Sequence, residues 1–441
     1  MWTDTRTLYQ IYPLGFCGCP QTNDGDKIVK RIDRIKDFIP HLVDLGVGGL
    51  YLSPLFESDR HGYDTRDYFT LDKRLGKNID LTALVKACHR NGINVILDGV
   101  FNHVGRGFPY FKDVLEKRQD SAYKDWFFID FGGNTPYNDG LHYQPWEGHY
   151  ELVKLNLRNP DVKRYLFTAV KFWIDEFDID GLRLDVAYSL DRDFLKGLRT
   201  VCEDKKKDFP LIGEVIFGDY NLIVNNETLH SCTNYENYKS LYSALNSKNL
   251  FELSYSLHRQ FGGDYWCMYK GMHLMTFLEN HDVSRIATNL TDKQNLPIAY
   301  ALLFTEPGIP TIYYGGEWGI EGDKKCGDDA LRPEITEPQT APITELIKKL
   351  VAARNTYAVF SYGGYKNLIE RNESLVFTRK YGEEEVIVAV NIGAPITFNH
   401  GEFLGVYSDL ITGKEEILSG SLTLPDHGFR ILIKKRLNGN V

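Results

Sequence analysis

The sequence lacks long apolar runs and any surplus of basic residues. Within its 441 residues, no stretch stays apolar over the ~20 residues that a membrane-spanning helix needs, so no membrane partner is expected. Lys and Arg number 51 against 60 Asp and Glu, a net charge of -9, which argues against a nucleic-acid partner. The start, Met1 to Asp4, lacks the basic and apolar parts of a signal peptide, so we expect a cytoplasmic protein.

Cysteine is scarce and forms no pattern typical of a disulfide framework or a zinc site. The seven Cys are odd in number, and Cys17 and Cys19 are too close for an ordinary disulfide and have no second pair. We therefore predict free, buried or half-buried thiols in a reducing compartment. No metal ligand set is assigned.

A helix followed by a short apolar strand recurs along most of the chain. Arg31 to Leu45 carries apolar residues at helical spacing, and Val47 to Leu52 reads as a buried strand. Another copy of this helix–strand unit begins at Asn159, a typical helix cap, and ends in the strand Leu182 to Val186. The other candidate strands are Leu8 to Tyr12, Ile93 to Leu97, Leu211 to Val215, His230 to Asn234, Met272 to Leu278 and Pro310 to Tyr314.

Eight such strands predict an α/β fold built on a closed (β/α)8 barrel. The competing fold is a doubly wound open sheet, but no glycine-rich phosphate loop follows the first strand. Residues 104–157 interrupt the helix–strand repeat and predict a small inserted domain after strand 3, over the cleft. We expect Trp126, Trp146 and Tyr150 in this segment to shape substrate access.

The end of the chain has a different pattern. After residue 356, short alternating runs separated by turns predict a C-terminal antiparallel β-sandwich domain at 357–441. The predicted catalytic barrel is then formed by residues 1–103 and 158–356, and the inserted domain by 104–157.

Acidic residues stand at the ends of several predicted strands. Asp98, Asp185 and Glu214 each end an apolar strand, and Phe277 to Asp282 runs into further polar residues. Barrel strands present their carboxyl ends to one face, where such folds carry catalysis. Any one of these residues could be a structural ion pair or a helix cap. Together they favour a catalytic site, because burying several carboxylates is costly unless they are used.

Two of these carboxyls lie in different surroundings. Arg183 and Asp185 are two apart on one strand, so both side chains point to the same side, and we expect the guanidinium to lower the pKa of Asp185. The alternative is a buried salt bridge with no other role. Glu214 has no cation beside it in sequence, so like charge and burial favour its protonated form. One ionised and one protonated carboxyl are typical of a glycosidase.

Five ordered motifs resemble the α-amylase family, glycoside hydrolase family 13. Asp98 to His103, Gly181 to Ala187, Gly213 to Val215 and Phe277 to Asp282 resemble its four main motifs in order. Val153 to Asn156 resembles the extra motif of the neopullulanase and cyclomaltodextrinase branch. The resemblance spans nearly the whole chain.

The resemblance implies three catalytic roles. Asp185 would be the nucleophile, Glu214 the acid/base, and Asp282 the residue that stabilises the distorted sugar and its positive charge. A carboxyl separation of about 5–5.5 Å would give net retention. Six further positions match residues that bind or surround the substrate: Tyr63, Asp98, His103, Arg183, His281 and Arg332. For Tyr63 the alternative is a core tyrosine.

The implied activity is a retaining hydrolase of α-1,4-glucans, such as maltooligosaccharides and starch fragments, with cyclodextrins and pullulan as further candidates. The alternatives are a transglycosylase or isomerase acting on sucrose, trehalose or maltodextrin, and a non-catalytic glucan-binding barrel.

The chain departs from the family pattern in two places. Tyr188 and Ser189 replace the Lys-His pair of classical α-amylases, which serves a leaving-group subsite and calcium, so we expect no cofactor, with calcium as the alternative. The first strand begins near Leu8, so we expect the N-terminal dimerisation domain of neopullulanases to be absent; the oligomeric state stays open.

Overall fold

The computed structural model describes residues 1–435 and contains the predicted barrel. Eight parallel strands form one sheet in the order β6-β5-β4-β3-β2-β1-β8-β7. A single parallel bridge from Thr233 to Met275 joins the two outer strands and closes the ring. The strands are β1 Leu8–Ile11, β2 Gly49–Leu52, β3 Asn94–Gly99, β4 Gly181–Leu184, β5 Leu211–Gly213, β6 Ser231–Cys232, β7 Met275–Phe277 and β8 Ile309–Tyr313.

Helices surround the barrel and cover it with their apolar faces. The longest begins where Asn159 accepts hydrogen bonds from the Asp161 and Val162 backbone N–H groups, and it buries Trp173. The helices outside the barrel wall are Asp33–Asp37, Ile39–Leu45, Asn78–Arg90, Pro160–Phe177, Arg192–Lys205, Tyr235–Ser247, Leu250–Phe261, Leu296–Thr305 and Pro342–Thr356. None of the helices within residues 1–435 is long and apolar enough to cross a bilayer.

The single helix predicted from Arg31 to Leu45 is wrong. Two short helices, Asp33–Asp37 and Ile39–Leu45, meet at Phe38. Pro40 lies in the first turn of the second helix, and its missing N–H cannot bond the Lys36 carbonyl, so the hydrogen-bond ladder is interrupted there.

The barrel interior is filled by side chains and supports the site above it. Tyr51 belongs to this inner cluster, and its hydroxyl donates a 2.8 Å hydrogen bond to Asp98 at the upper end of β3. The packed interior therefore holds the first acidic residue from below. The other buried members of the cluster are Leu8, Ile96, Ile212, Met275 and Ile309.

The segment after β3 forms a small layer beside the strand ends. His103–Gly105 pairs with His149–Lys154, which also pairs with Pro145–Trp146. The helix Pro109–Lys117 lies between them in sequence, and a short pair joins Ile129–Asp130 to His142–Tyr143. The boundaries at 103/104, 157/158 and 356/357 stay a prediction.

The chain after the barrel forms an antiparallel sheet with two buried faces. Its six strands lie in the order β9-β10-β11-β14-β12-β13. Phe377 and Val388 face the barrel core, whereas their neighbours Val376 and Ile387 join a second core with Phe398 and others from β12 and β13. The strands are β9 Gly364–Arg371, β10 Ser374–Tyr381, β11 Glu384–Asn391, β12 Ile396–Asp409, β13 Glu415–Leu424 and β14 Gly428–Lys434.

Two features of the chain outside the site differ from expectation. Strand β9 was not predicted, because it is a largely exposed edge strand without apolar alternation. The seven thiols are free as predicted, but Cys326 is exposed rather than buried or half-buried.

Candidate active site

The polar residues that follow the barrel strands surround one cavity of about 690 Å³ at the carboxyl ends of the strands. Six of the nine predicted site residues line it: Tyr63, His103, Asp185, Glu214, Asp282 and Arg332. The other three, Asp98, Arg183 and His281, are buried and contact the lining residues from behind. The nine predicted residues therefore belong to one site.

Arg183 joins the two central carboxyls. Its Nη1 lies 3.0 Å from Asp185 Oδ1, and its Nη2 lies 3.0 Å from Glu214 Oε1. It also donates to both oxygens of Asp98 at 2.9 Å. The sequence shows no cation beside Glu214; the structure supplies one from the neighbouring strand. A single guanidinium thus holds Asp185 and Glu214 at one point of the cavity.

The pKa of Asp185 is shifted in the direction opposite to expectation. Burial raises the pKa of Asp185 well above its usual range; Arg183 opposes this, while Glu214 and Asp98 add to it. The predicted net lowering is therefore wrong, because burial outweighs Arg183, whose single positive charge also serves Asp98 and Glu214. Among the described residues, the buried Asp185 Oδ2 has no hydrogen-bond partner, so its hydrogen-bonding capacity is unmet within the protein.

Glu214 is fixed by the backbone that follows Asp185. The Val186 N–H donates to Glu214 Oε2 at 3.0 Å, and the Ala187 N–H donates to the Glu214 carbonyl at 3.0 Å. Val186 has φ +47°, a left-handed conformation that β-branched residues rarely adopt. The sharp turn after β4 thereby ties the two carboxyl-bearing strand ends together.

Asp282 faces the cavity from the other side and is held as a carboxylate. Its Oδ1 accepts from Arg332 Nη2 at 3.1 Å, and its Oδ2 lies 2.9 Å from His281 Nε2. Burial raises the pKa of Asp282, but His281, Arg332 and Arg183 outweigh it, so the pKa is lowered. The side chain stays 37% exposed, so a ligand can reach it.

Tyr63 and His103 complete the wall, and His281 lies behind them. The Tyr63 ring stacks on His281 with centroids 5.4 Å apart, and its hydroxyl bonds His281 Nε2 and Asp98. His103 Nε2 lies 3.9 Å from Asp185 Oδ2, and burial lowers the pKa of His103 to about 3, so its ring is neutral. His281 lies behind the lining residues and contacts Tyr63 and Asp282.

Gln10 is a residue of the site that the sequence analysis did not identify. Gln10 in β1 lies 2.8 Å from His281 Nδ1. A buried amide inside an apolar strand is the signal that could have found it.

Of the aromatic residues expected to shape the cleft, Trp146 lines the cavity, whereas Trp126 is buried against Tyr110 and Tyr150 is not on the wall.

The one cluster of three His, Cys or carboxylate ligand atoms within residues 1–435 lies away from the active site. Within residues 1–435, one group offers three clustered His, Cys or carboxylate ligand atoms: His258, Asp264 and Cys267. It lies around the loop before β7, at the amino ends of the strands, and its nitrogen and sulfur ligands do not suit calcium. The Asn102 side-chain nitrogen lies 3.1 Å from His103 Nδ1, whereas its oxygen has no hydrogen-bond partner among the described residues.

Comparison with known proteins agrees with this geometry. Residues 10–356 match the family model described as "Alpha amylase, catalytic domain". A cyclomaltodextrinase from Geobacillus thermopakistaniensis is 32% identical, over 97% of this chain and 76% of that protein. An intracellular maltogenic amylase from Bacillus subtilis is 30% identical, over 89% and 69%. The ligand-free structure of a cyclic α-maltosyl-(1→6)-maltose hydrolase from Arthrobacter globiformis matches with TM-score 0.85 and 28% identity, over 98% and 100%.

Proposed function

Because the chain belongs to the α-amylase family and is a glycoside hydrolase, we propose that it hydrolyses α-1,4-linked maltooligosaccharides with retention of configuration. The observation that carries this proposal is the contact of Arg183 with both Asp185 and Glu214, because it brings two carboxyls from neighbouring strands to one cavity. The names of the relatives, a cyclomaltodextrinase and a maltogenic amylase, support α-glucans as the substrate class.

In the first step Asp185 Oδ2 attacks the anomeric carbon, and the bond from that carbon to the glycosidic oxygen breaks. Glu214 gives its proton to the departing oxygen, and a covalent glycosyl ester forms at Asp185. In the second step Glu214 takes a proton from water, whose oxygen attacks the same carbon and releases Asp185. Two inversions give net retention.

The charges of the site suit these steps. One guanidinium contacts Asp98, Asp185 and Glu214, so its positive charge can stabilise the ionised nucleophile. Ionised Asp282 can stabilise positive charge on the sugar ring, and it lies across the cavity from the attacking oxygen. Tyr63 supplies a ring against which the sugar can pack, with His281 holding both groups in place.

Azide rescue on α-maltosyl fluoride tests the two roles separately. Fluoride leaves without an acid, so Asp185→Ala with azide should yield the β-glycosyl azide by one inversion. Glu214→Ala with azide should yield the α-glycosyl azide by two. The opposite pairing of products would contradict the assignment of nucleophile and acid/base.

Product profiling tests the substrate class. The wild-type protein should cleave maltoheptaose and release products that begin as the α-anomer. Absence of cleavage on maltoheptaose, cyclodextrin and pullulan would contradict the proposal. Product analysis with an added acceptor sugar distinguishes hydrolysis from transglycosylation.

We also propose that the protein works in the cytoplasm, as the name of the intracellular B. subtilis relative suggests. The barrel would be the catalytic domain, 1–103 with 158–356, and 104–157 and 357–441 would be separate domains.

A further inference from the structure

A tight hairpin of the segment after β3 lies over the cavity. It consists of Pro145–Trp146 and His149–Lys154 and is called the insert hairpin below. Glu147 and Gly148 form its tip with φ of +44° and +86°, as a two-residue type I′ turn requires. Such a turn leaves the tip little freedom, so the Glu147 side chain projects from a defined position.

Contacts hold the insert hairpin on both sides of the cavity. At the tip, the Tyr188 hydroxyl donates a 3.1 Å hydrogen bond to Glu147 Oε1. Near its other end, Glu151 Oε1 lies 3.7 Å from Arg60 Nη2. Between them, the Trp146 ring packs on His103 with centroids 5.6 Å apart. The hairpin therefore spans from the loop after β2 to the loop after β4.

The tip contact lies on the acid/base side of the cavity. Tyr188 follows Asp185 by three residues, and its ring packs on Phe217, three residues beyond Glu214, with centroids 5.2 Å apart. The opposite side is formed by Asp282, Arg332 and Asp328. The leaving part of the substrate departs on the side of the proton donor, so the Glu147–Tyr188 contact lies on the side where the leaving chain departs.

We propose that the Glu147–Tyr188 hydrogen bond limits the length of glucan that extends beyond the cleaved bond, so that short oligosaccharides are preferred over long chains. This inference rests on the proposed function. Both residues line the cavity but contact neither Asp282 nor Arg332, so they act on substrate choice rather than on the grip of the attacked sugar. Because the bond is partly exposed, its effect on selection is modest.

The test is the ratio of kcat/KM for soluble amylose to kcat/KM for maltotriose. Tyr188→Phe and Glu147→Gln each remove or weaken one hydrogen bond and keep the shape of the side chain. Each should raise the ratio by about twofold to tenfold, the range that one such bond spans. The double variant should raise it no further than the larger single change, because both remove the same contact. Tyr137→Phe, in the same segment but away from the cavity, should leave the ratio unchanged.

Amide hydrogen exchange gives a second readout that needs no turnover. Exchange at Trp146 to His149 should be faster in Tyr188→Phe than in the wild type, and unchanged in Tyr137→Phe. A ratio unchanged from the wild type in both Tyr188→Phe and Glu147→Gln, while the wild type itself cleaves maltotriose, would overturn this inference alone. A wild type that cleaves no α-glucan would overturn the proposed function, and this inference with it. Unchanged exchange at the tip would show that the contact does not hold the hairpin.

Discussion

Two buried arginines near the strand ends, Arg183 and Arg285, differ in how completely their acidic partners are satisfied. Arg285 Nη1 lies 3.0 Å from Glu279 Oε1, and the Ile286 N–H donates to the other oxygen of Glu279 at 2.6 Å. Arg183 instead divides its donors among several carboxyls, and Asp185 keeps one oxygen without a partner. The difference teaches that a carboxylate with both oxygens bonded supports the fold, whereas one with an unpaired oxygen can serve chemistry.

The largest effect is expected for Asp185→Asn, which changes the carboxylate that has an unpaired oxygen. We expect kcat on maltoheptaose to fall by about 10⁴-fold or more, because the attacking oxygen becomes an amide. The urea midpoint should stay the same or rise, since the lost charge was buried and only partly paired. Steady-state kinetics and urea unfolding measure the two effects. A variant with wild-type turnover would remove Asp185 from the reaction.

Glu279→Gln changes the carboxylate whose two oxygens are both bonded. It should lower the unfolding free energy and leave kcat nearly unchanged. Removing the charge leaves Arg285 buried without a countercharge, which should cost about 3–5 kcal/mol of unfolding free energy. Protein that remains folded should keep kcat within about threefold, since one oxygen of the side chain is retained. Equilibrium urea unfolding is the measurement. Lost activity at unchanged stability would place Glu279 with the Arg183 group instead.

A smaller effect is expected in the pH profile of Asp98→Asn. Asp185 must be ionised to attack, so activity on the acid side rises as it loses its proton. Burial and the nearby carboxylates raise the pKa of Asp185, so this limb of kcat/KM lies above the ordinary aspartate value of about 3.9. Removing the Asp98 charge should lower the pKa of Asp185 and move the limb to lower pH, by about half a unit to one unit.

The matched control for that shift is Asp72→Asn. Asp72 is also a buried partner of an arginine, with Arg74 Nη2 at 2.7 Å, but it is not among the cavity residues. It should lower stability without moving the limb. A limb that moves to higher pH in Asp98→Asn, or moves equally in both variants, would contradict the sharing of Arg183.

Much of the site follows from local sequence, because short apolar strands ending in acids identify both the barrel and its active face. The pairing of Arg183 with Asp185 follows from the two-residue period of one strand. The contact of Arg183 with Glu214 does not, since it depends on the register that aligns Arg183 with Ile212 across β4 and β5. The predicted pKa direction for Asp185 was wrong because its burial, and the carboxylates brought close by neighbouring strands, come from the fold and outweigh Arg183. Likewise, nothing in sequence relates Glu147 to Tyr188.

Strand pairing in the barrel is weakest between β6 and β7, where a single bridge joins Thr233 to Met275. Asp185 and Glu214 follow β4 and β5, on one side of this junction, and Asp282 follows β7, on the other side. Any loosening between β6 and β7 would therefore change the distance between Asp282 and the Asp185–Glu214 pair, while the contacts of Arg183 with Asp98, Asp185 and Glu214 would stay intact.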